Sequence, residues 1–151
     1  MLNFLTTTTV CGFSLYHVLA FFLIYSCTGW CLEVIFAAAT TGQLVNRGFL
    51  NGPVCPIYGF GAVLVTALLT PFSASPPAVF VLAMAVCGTL EYLTSYAMEN
   101  LFHARWWDYS HRRFNLNGRV CAGTLIPFGL LGLGMVYVAR PLLFGLYLKL
   151  P

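Results

Sequence analysis

Charged side chains are scarce in this sequence. Asp, Glu, Lys and Arg together make up 7% of the 151 residues, whereas about 25% is usual in soluble domains. Hydrophobic residues account for 60% of the chain, and a soluble domain of this length could not bury so much apolar surface. The composition therefore excludes an ordinary soluble domain and predicts an integral membrane protein with the lipid bilayer as its surroundings.

The sequence also lacks the signatures of nucleic-acid binding and of several enzyme classes. The net charge is only +3 at pH 7, so we expect no nucleic-acid partner. The chain contains no Gly-x-Ser-x-Gly, no His-Glu-x-x-His and no phosphate-binding loop that ends in Gly-Lys-Ser/Thr. Several of the six cysteines lie in apolar runs, where thiols pack as small hydrophobic groups. We predict no metal site and no cofactor, and whether the chain is an enzyme stays open.

Four apolar segments have lengths near the roughly 20 residues that a membrane-crossing helix needs. They are Phe13–Ala39, Pro53–Thr70, Ala78–Phe102 and Val120–Ala139. The segment Leu142–Leu148 is too short to cross and is expected to be either a helical extension or an interfacial piece. The sequence therefore predicts an all-α membrane protein with four transmembrane helices in a single domain over residues 1–151.

Basic residues predict the orientation of these helices. The loop after the first segment contains Arg47, and four more arginines lie in the loop after the third: Arg105, Arg112, Arg113 and Arg119. Positive residues favour the cytoplasmic side of a membrane. We therefore expect both loops in the cytoplasm and both termini outside, for a multi-pass protein of the bacterial inner membrane.

Two stretches of the sequence repeat with an offset of 66 residues. Leu50–Cys55 and Leu116–Cys121 are identical at five of six positions, and the same offset pairs Glu33 with Glu99. This pattern predicts two helix hairpins that arose by duplication, at about residues 13–70 and 79–136. Because each hairpin has two spans, both insert in the same direction and form parallel repeats.

All four acidic residues lie in or beside the predicted spans. A charge inside the bilayer costs roughly 2.5–3.5 kcal/mol, so such residues usually face the interior of a helix bundle. Glu91, Ser95 and Glu99 recur every four residues and therefore share one face of the third helix. Either these carboxyl groups form a functional site together with Glu33, or they only make structural hydrogen bonds and reach water at the membrane surface.

The starts of the second and fourth helices suggest an anion site. Asn51 and Asn117 are predicted to cap these helices, whose N-terminal N–H groups attract negative charge. Arg47 and Arg119 lie beside them. Alternatively, the arginines pair with the glutamates or with lipid phosphate. The neighbouring aromatic loop around Asp108 is either an interfacial anchor or part of the site.

Several motifs together resemble a known family. They are Gly29-Trp30 with Glu33, Arg47-Gly48-Phe49-Leu50-Asn51-Gly52-Pro53, Cys55-Pro56-Ile57-Tyr58-Gly59, Glu91, Trp106-Trp107-Asp108-Tyr109-Ser110 and Asn117-Gly118-Arg119. Over about residues 20–130 the chain resembles the CmpB-like ABC-transporter type IV family of bacterial membrane proteins, and this resemblance implies a multi-pass permease. With it, the candidate ligand-binding residues are Glu33, Arg47, Asn51, Tyr58, Glu91, Glu99, Trp107, Asp108, Tyr109, Asn117 and Arg119.

The leading functional hypothesis is binding or translocation of a small anionic solute through a polar site that faces the cytoplasm. A first alternative is a membrane-embedded enzyme that acts on a lipid-derived or amphiphilic substrate. A second is a non-catalytic membrane subunit that docks a cytoplasmic partner. A homo-oligomer or a complex with a partner subunit is compatible with each of them.

The predicted orientation can be tested by cysteine labelling. Cysteines introduced at Asn51, Ser110 and Asn117 should react with impermeant thiol reagents from the cytoplasmic side, and a cysteine at Ser73 from the outside. The unsubstituted protein measures the labelling of the native cysteines. Reversed labelling would mean an inverted bundle, and labelling of Ser73 and Ser110 from the same side would mean a wrong span count.

Overall fold

The computed structural model of the chain describes residues 9–10, 13–46, 48 and 50–147. Arg47, a predicted site residue, lies outside the described residues. Most of the described chain is helical, and the helices are α1 (Leu15–Thr41), α2 (Pro56–Leu69), α3 (Pro76–Phe102), α4 (Ala122–Gly134) and α5 (Arg140–Tyr147). A 3₁₀ turn at Thr70–Phe72 follows α2, and a π-helical turn at Met135–Ala139 joins α4 to α5.

Two short antiparallel strand pairs accompany the helices. β1 (Thr9–Val10) pairs with β2 (Phe13–Ser14), and β3 (Asn115–Leu116) pairs with β4 (Val120–Cys121). The second pair lies in the loop between α3 and α4. There it forms a hairpin directly before α4, in a loop for which the sequence predicted no strands.

Three helical segments are long and apolar enough to cross a membrane: Leu15–Thr41, Pro76–Phe102 and Ala122–Leu143. The third includes the π-helical turn and the start of α5, so the helix does continue beyond the predicted end at Ala139. The apolar segment Pro56–Phe72 is shorter. At 1.5 Å per residue, α2 alone is roughly 21 Å long, against a hydrocarbon core of about 30 Å. The four-span count and the placement of the termini therefore stay predictions.

The predicted helix caps were wrong, because both helices begin later than the Asn-Gly steps. α2 begins at Pro56, five residues after Asn51. α4 begins at Ala122 and is capped by Cys121. Asn117 and Gly118 instead form the centre of the β3–β4 turn, with φ angles of 54° and 68°. An Asn-Gly pair suits a turn that needs two positive φ angles. Asn117-Gly118 therefore connects the two strands of a hairpin and does not start a helix.

The chain divides into two units, Met1–Val63 and Leu64–Pro151. In the first unit, α1 packs closely against the start of α2. The backbone N–H of Cys55 donates to the Ser26 carbonyl at 3.0 Å. A Cβ on Gly29 would lie 2.2 Å from Tyr58 Cγ, and a Cβ on Gly59 would lie 2.2 Å from Ser26 Oγ. These glycines therefore allow the two helices to approach each other at the level of Tyr58.

In the second unit, small residues also bring α3 and α4 together. A Cβ on Gly132 would lie 2.2 Å from the Cβ of Ala83, and a Cβ on Gly129 would lie 2.4 Å from the Phe80 ring. Close backbone approach at small residues is a common way to pack helices in membranes. One cluster of buried apolar residues in this unit comprises Val65, Leu69, Val79, Ala83 and Val136.

We expect Gly132→Ala to lower the free energy of unfolding by about 1–3 kcal/mol, since overpacking a tight contact costs this much. Adding Ala83→Gly should recover part of the loss, because it removes the methyl group that the new side chain meets. Gly134→Ala is the matched control, as nothing lies within 4 Å of its added Cβ. Thermal unfolding of the purified proteins in detergent measures the effects. Equal losses for Gly132→Ala and Gly134→Ala would contradict the packing.

Candidate functional site

One face of α3 is polar and carries the centre of the site. Glu91 and Ser95 on this face are buried, whereas the side chain of Glu99 is 40% exposed. The three residues are one helical turn apart, as the sequence predicted, and they face groups from the following loop, the β3–β4 hairpin and α4. We call the assembly the α3 polar cluster, and it comprises Glu91, Tyr92, Ser95, Tyr96, Glu99, Arg105, Trp107, Asp108, Tyr109, Ser110, Asn117, Arg119 and Thr124.

Arg119 makes the densest set of contacts in this cluster. Its Nη2 lies 2.7 Å from the Glu99 carboxylate, and its Nη1 donates to Ser95 Oγ at 3.2 Å. The guanidinium carbon lies 5.7 Å and 5.4 Å from the ring centroids of Tyr92 and Tyr96. With 11% of its side chain exposed, this cation is held by one carboxylate, one hydroxyl and two aromatic rings.

Arg105 links the two carboxylates that lie nearest to the surface. Its Nη2 lies 3.2 Å from Glu99 Oε2, and its Nη1 lies 3.4 Å from Asp108 Oδ1. Glu99 is thus shared between two arginines, and Arg105 has a second carboxylate partner. Because these side chains are partly exposed, the individual pairs add little stability, but they fix where the Glu99 carboxylate can go.

Asp108 is held by the residue two positions further along the loop. Its Oδ1 accepts hydrogen bonds from the Ser110 hydroxyl at 2.5 Å and from the Ser110 backbone N–H at 2.9 Å. The Ser110 hydroxyl has the largest effect in lowering the pKa of the Asp108 carboxyl. The Ser110 backbone N–H and the nearby Arg105 guanidinium lower this pKa further. Asp108 is therefore a fixed negative charge beside Arg105.

Glu91 lies deeper in the span and has a different kind of partner. Its Oε1 accepts a hydrogen bond from the Tyr109 hydroxyl at 3.3 Å, and its Oε2 lies 3.2 Å from the hydroxyl of Thr124 in α4. Among the residues that the structure describes, the arginine ion pairs involve Glu99 and Asp108. Glu91 is thus surrounded by neutral hydroxyl groups, while Glu99 is surrounded by guanidinium groups.

The hairpin and the aromatic loop are tied to each other and to α3. Trp107 Nε1 donates to the Arg119 carbonyl at 2.9 Å, and Asn117 Nδ2 donates to the Tyr92 hydroxyl at 2.8 Å. The Tyr109 N–H donates to the Gly118 carbonyl at 2.8 Å. Trp107 therefore positions the backbone of Arg119 and is more than an interfacial anchor.

The first unit contains a smaller glutamate site. The Tyr58 hydroxyl donates to Glu33 Oε1 at 2.6 Å. Asn51 lies exposed in the loop before α2, and Arg47 belongs to the undescribed residues. Of the eleven candidate residues, two therefore meet in this unit, and seven meet in the α3 polar cluster: Glu91, Glu99, Trp107, Asp108, Tyr109, Asn117 and Arg119.

Sequence reasoning missed Thr124, Tyr92 and Tyr96 as members of the site. Thr124 stands 66 residues after Tyr58, and each of these hydroxyls contacts a glutamate of its own unit. The repeat offset was thus a usable signal for Thr124. Tyr92 and Tyr96 are four residues apart beside the polar stripe of α3, a spacing that already indicated one shared face.

No group of three His, Cys, Asp or Glu side chains in the described ranges is arranged to hold a metal ion. Cys27 and Cys31, which share a face of α1, are exposed free thiols, and Cys55 and Cys121 are buried free thiols. The Cys121 side chain instead takes part in the cap of α4.

Comparison with known protein families identifies the chain. A family model described as "Putative ABC-transporter type IV" (CmpB) matches residues 20–151. The chain belongs to this family. Neither the curated proteins nor the solved structures gave a match. Together with its apolar helices, the match makes this CmpB-family chain a membrane protein of a transport-related family.

The cause of the Asp108 pKa shift can be tested directly, since Asp108 is the one aspartate in the sequence. Ser110→Ala removes the strongest donor and should raise the pKa of Asp108 toward the ordinary aspartate value. Arg105→Gln should raise it less. A ¹³C NMR titration of protein labelled in the aspartate carboxyl group gives a single resonance to follow. An unchanged or lowered pKa in Ser110→Ala would contradict the assigned hydrogen bonds.

Proposed function

We propose that this CmpB-family protein binds and translocates a small anionic solute, with Arg119 as the group that holds the anion. The observation that carries this proposal is the environment of the guanidinium. It is largely withdrawn from solvent, and its carboxylate partner among the described residues, Glu99, is 40% exposed. The other groups around it, Ser95 and the two tyrosine rings, are neutral.

An incoming anion can replace Glu99 as the partner of Arg119. A buried charge that loses its partner is strongly destabilising, but here the solute would neutralise the guanidinium as Glu99 leaves. Glu99 would stay paired as well, because its carboxylate already lies 3.2 Å from Arg105. The exchange therefore leaves no charge without a partner, and Glu99 acts as a resident competitor of the solute.

The geometry of Arg119 favours a carboxylate or phosphate group as the bound part of the solute. A guanidinium has a planar set of donors that matches two oxygens of such a group. The guanidinium carbon lies over the rings of Tyr92 and Tyr96, which limits where the group can move. The solute class is therefore a small oxyanion, and the sequence-based orientation would open this site to the cytoplasm of a bacterial cell.

Contacts within the two units also support the proposed duplication. In the first unit, Gly59 packs against the ring of Phe22. The positions 66 residues later are Leu125 and Gly88, and a Cβ on Gly88 would lie 2.5 Å from Leu125 Cδ2. The same pair of positions is thus in contact in both units, with the large and the small residue exchanged. We infer that the two hairpins are repeats that diverged while they kept this helix contact.

The Arg119 proposal predicts a specific pattern of anion affinities. Arg119→Ala should weaken binding of inorganic phosphate at least tenfold, because a hydrogen bond to a charged group contributes about 1.5–3 kcal/mol. Arg119→Lys should restore little, since an ammonium group lacks the planar fork. Glu99→Gln should tighten binding by removing the competing charge. Isothermal titration calorimetry of the detergent-purified proteins measures these affinities, with sulfate and acetate as further probes.

Arg113→Ala is the matched control for this series. Arg113 is an exposed arginine of the same loop, so this variant changes the net charge equally and should keep phosphate binding. Equal losses in Arg113→Ala and Arg119→Ala would show binding by overall charge alone. Weaker binding in Glu99→Gln would show that Glu99 supports the anion site and does not compete with the solute.

A further inference from the structure

In the hydrogen bonds that the structure describes around Glu91, the Thr124 hydroxyl faces two acceptors with one proton. Thr124 Oγ1 lies 2.9 Å from the Cys121 carbonyl and 3.2 Å from Glu91 Oε2, and it accepts from the Cys121 backbone N–H at 3.3 Å. A threonine hydroxyl has one proton and two acceptor positions. It can therefore donate to the Cys121 carbonyl or to Glu91, but one proton does not fully serve both.

The shorter distance assigns the Thr124 proton to the Cys121 carbonyl. Thr124 can then only accept from Glu91, so the proton in that contact must belong to the glutamic acid. The Tyr109 hydroxyl donates to the other oxygen, Oε1, at 3.3 Å. With a protonated Glu91, every polar group in this set has a partner, as buried polar groups normally do. With an ionised Glu91, the Cys121 carbonyl loses its hydroxyl donor.

We propose that Glu91 is a proton-binding site within the span, which exchanges its proton with the loop surface through the Tyr109 hydroxyl. For this exchange the carboxyl group rotates so that its proton points to the Tyr109 oxygen, and the Tyr109 O–H turns from Oε1 to water at the loop. Glu91 then passes its proton to the Tyr109 oxygen while Tyr109 releases its own proton to water. The carboxylate that is left accepts from Tyr109 and Thr124, whose hydroxyl turns away from the Cys121 carbonyl. The step moves one proton and forms no covalent bond.

When Glu91 loses its proton, the Thr124 hydroxyl turns, and this rotation affects the structure around it. Thr124 and Cys121 form the cap of α4, in which each side chain bonds to the backbone of the other. Cys121 also ends the β3–β4 hairpin, which contains Arg119 two residues earlier. Loss of the proton therefore acts on the first turn of α4 and on the end of the hairpin. This proposal rests on the Glu91 contacts and is independent of the proposed anion site.

Other titratable groups lie on the described elements around Glu91. Cys87 precedes it by one turn on α3, the loop contributes Tyr109, and the α4 cap contributes the Cys121 thiol. Thiols and phenols are weaker acids than carboxylic acids. Further along the face, Glu99 is paired with Arg119. A proton that exchanges near neutral pH in this part of the site is therefore assigned to Glu91.

Infrared difference spectroscopy during a pH titration of the full, detergent-purified chain tests the proposal. We expect a carboxylic acid C=O band near neutral pH that disappears as the pH rises. Labelling glutamate with ¹³C in its carboxyl group should shift the band. This test needs no amino-acid substitution. Glu91→Gln should remove the band, while Glu99→Gln should keep it because Glu91 is unchanged.

Thr124 variants test the hydrogen-bond assignment itself. Thr124→Val removes the acceptor of the acid proton and should shift the band to higher frequency, and Thr124→Ser should restore the wild-type position. Tyr109→Phe should slow the exchange of the proton with deuterium from solvent. The proposal is overturned if no glutamate-derived band exists, if Glu91→Gln keeps it, or if its position is the same in wild type and Thr124→Val. A failure to bind phosphate would contradict the proposed anion site at Arg119, but it would leave the Glu91 proposal unaffected.

Discussion

The second unit is organised around the burial of the Arg119 guanidinium. A cation with 11% of its side chain exposed needs compensation from several directions, because removing one partner of a buried pair costs about 3–5 kcal/mol. α3 supplies that compensation through Glu99, Ser95 and the two tyrosine rings. The polar stripe in an otherwise apolar helix is therefore explained by the cation that it faces.

The loop before Arg119 positions the Arg119 side chain against α3. The Arg119 N–H donates to the Leu116 carbonyl to close the Asn117–Gly118 turn, and Trp107 holds the Arg119 carbonyl. Asn117 anchors the turn to α3 through Tyr92. A Cβ on Gly118 would lie 2.4 Å from the Ser110 hydroxyl, so the turn also packs against the Asp108 loop. Bulkier or more flexible residues in this loop would let the guanidinium move away from its partners.

The sequence predicted the parts of this arrangement that depend on local patterns. Long apolar runs predicted the three helical segments that are long and apolar enough to cross a membrane. The four-residue spacing of Glu91, Ser95 and Glu99 placed them on one face. Which arginine pairs with which glutamate depends on how the β3–β4 hairpin packs against α3, and no local pattern specifies this packing. The Asn-Gly steps were misread as caps, because the same residue types favour both caps and turns. The start of α4 was decided by Cys121 and Thr124, whose reciprocal cap has no strong sequence signature.

The two glutamates of the second unit show how one helix face can hold two kinds of site. Glu99 lies between two guanidinium groups, which favour the ionised carboxylate. Glu91, two turns deeper, is contacted by hydroxyls of Tyr109 and Thr124. The β3–β4 hairpin connects these sites, because Arg119 lies within it and Cys121 ends it. The two sites therefore share the hairpin as a structural element, and each keeps its own partners, guanidinium groups for Glu99 and hydroxyl groups for Glu91.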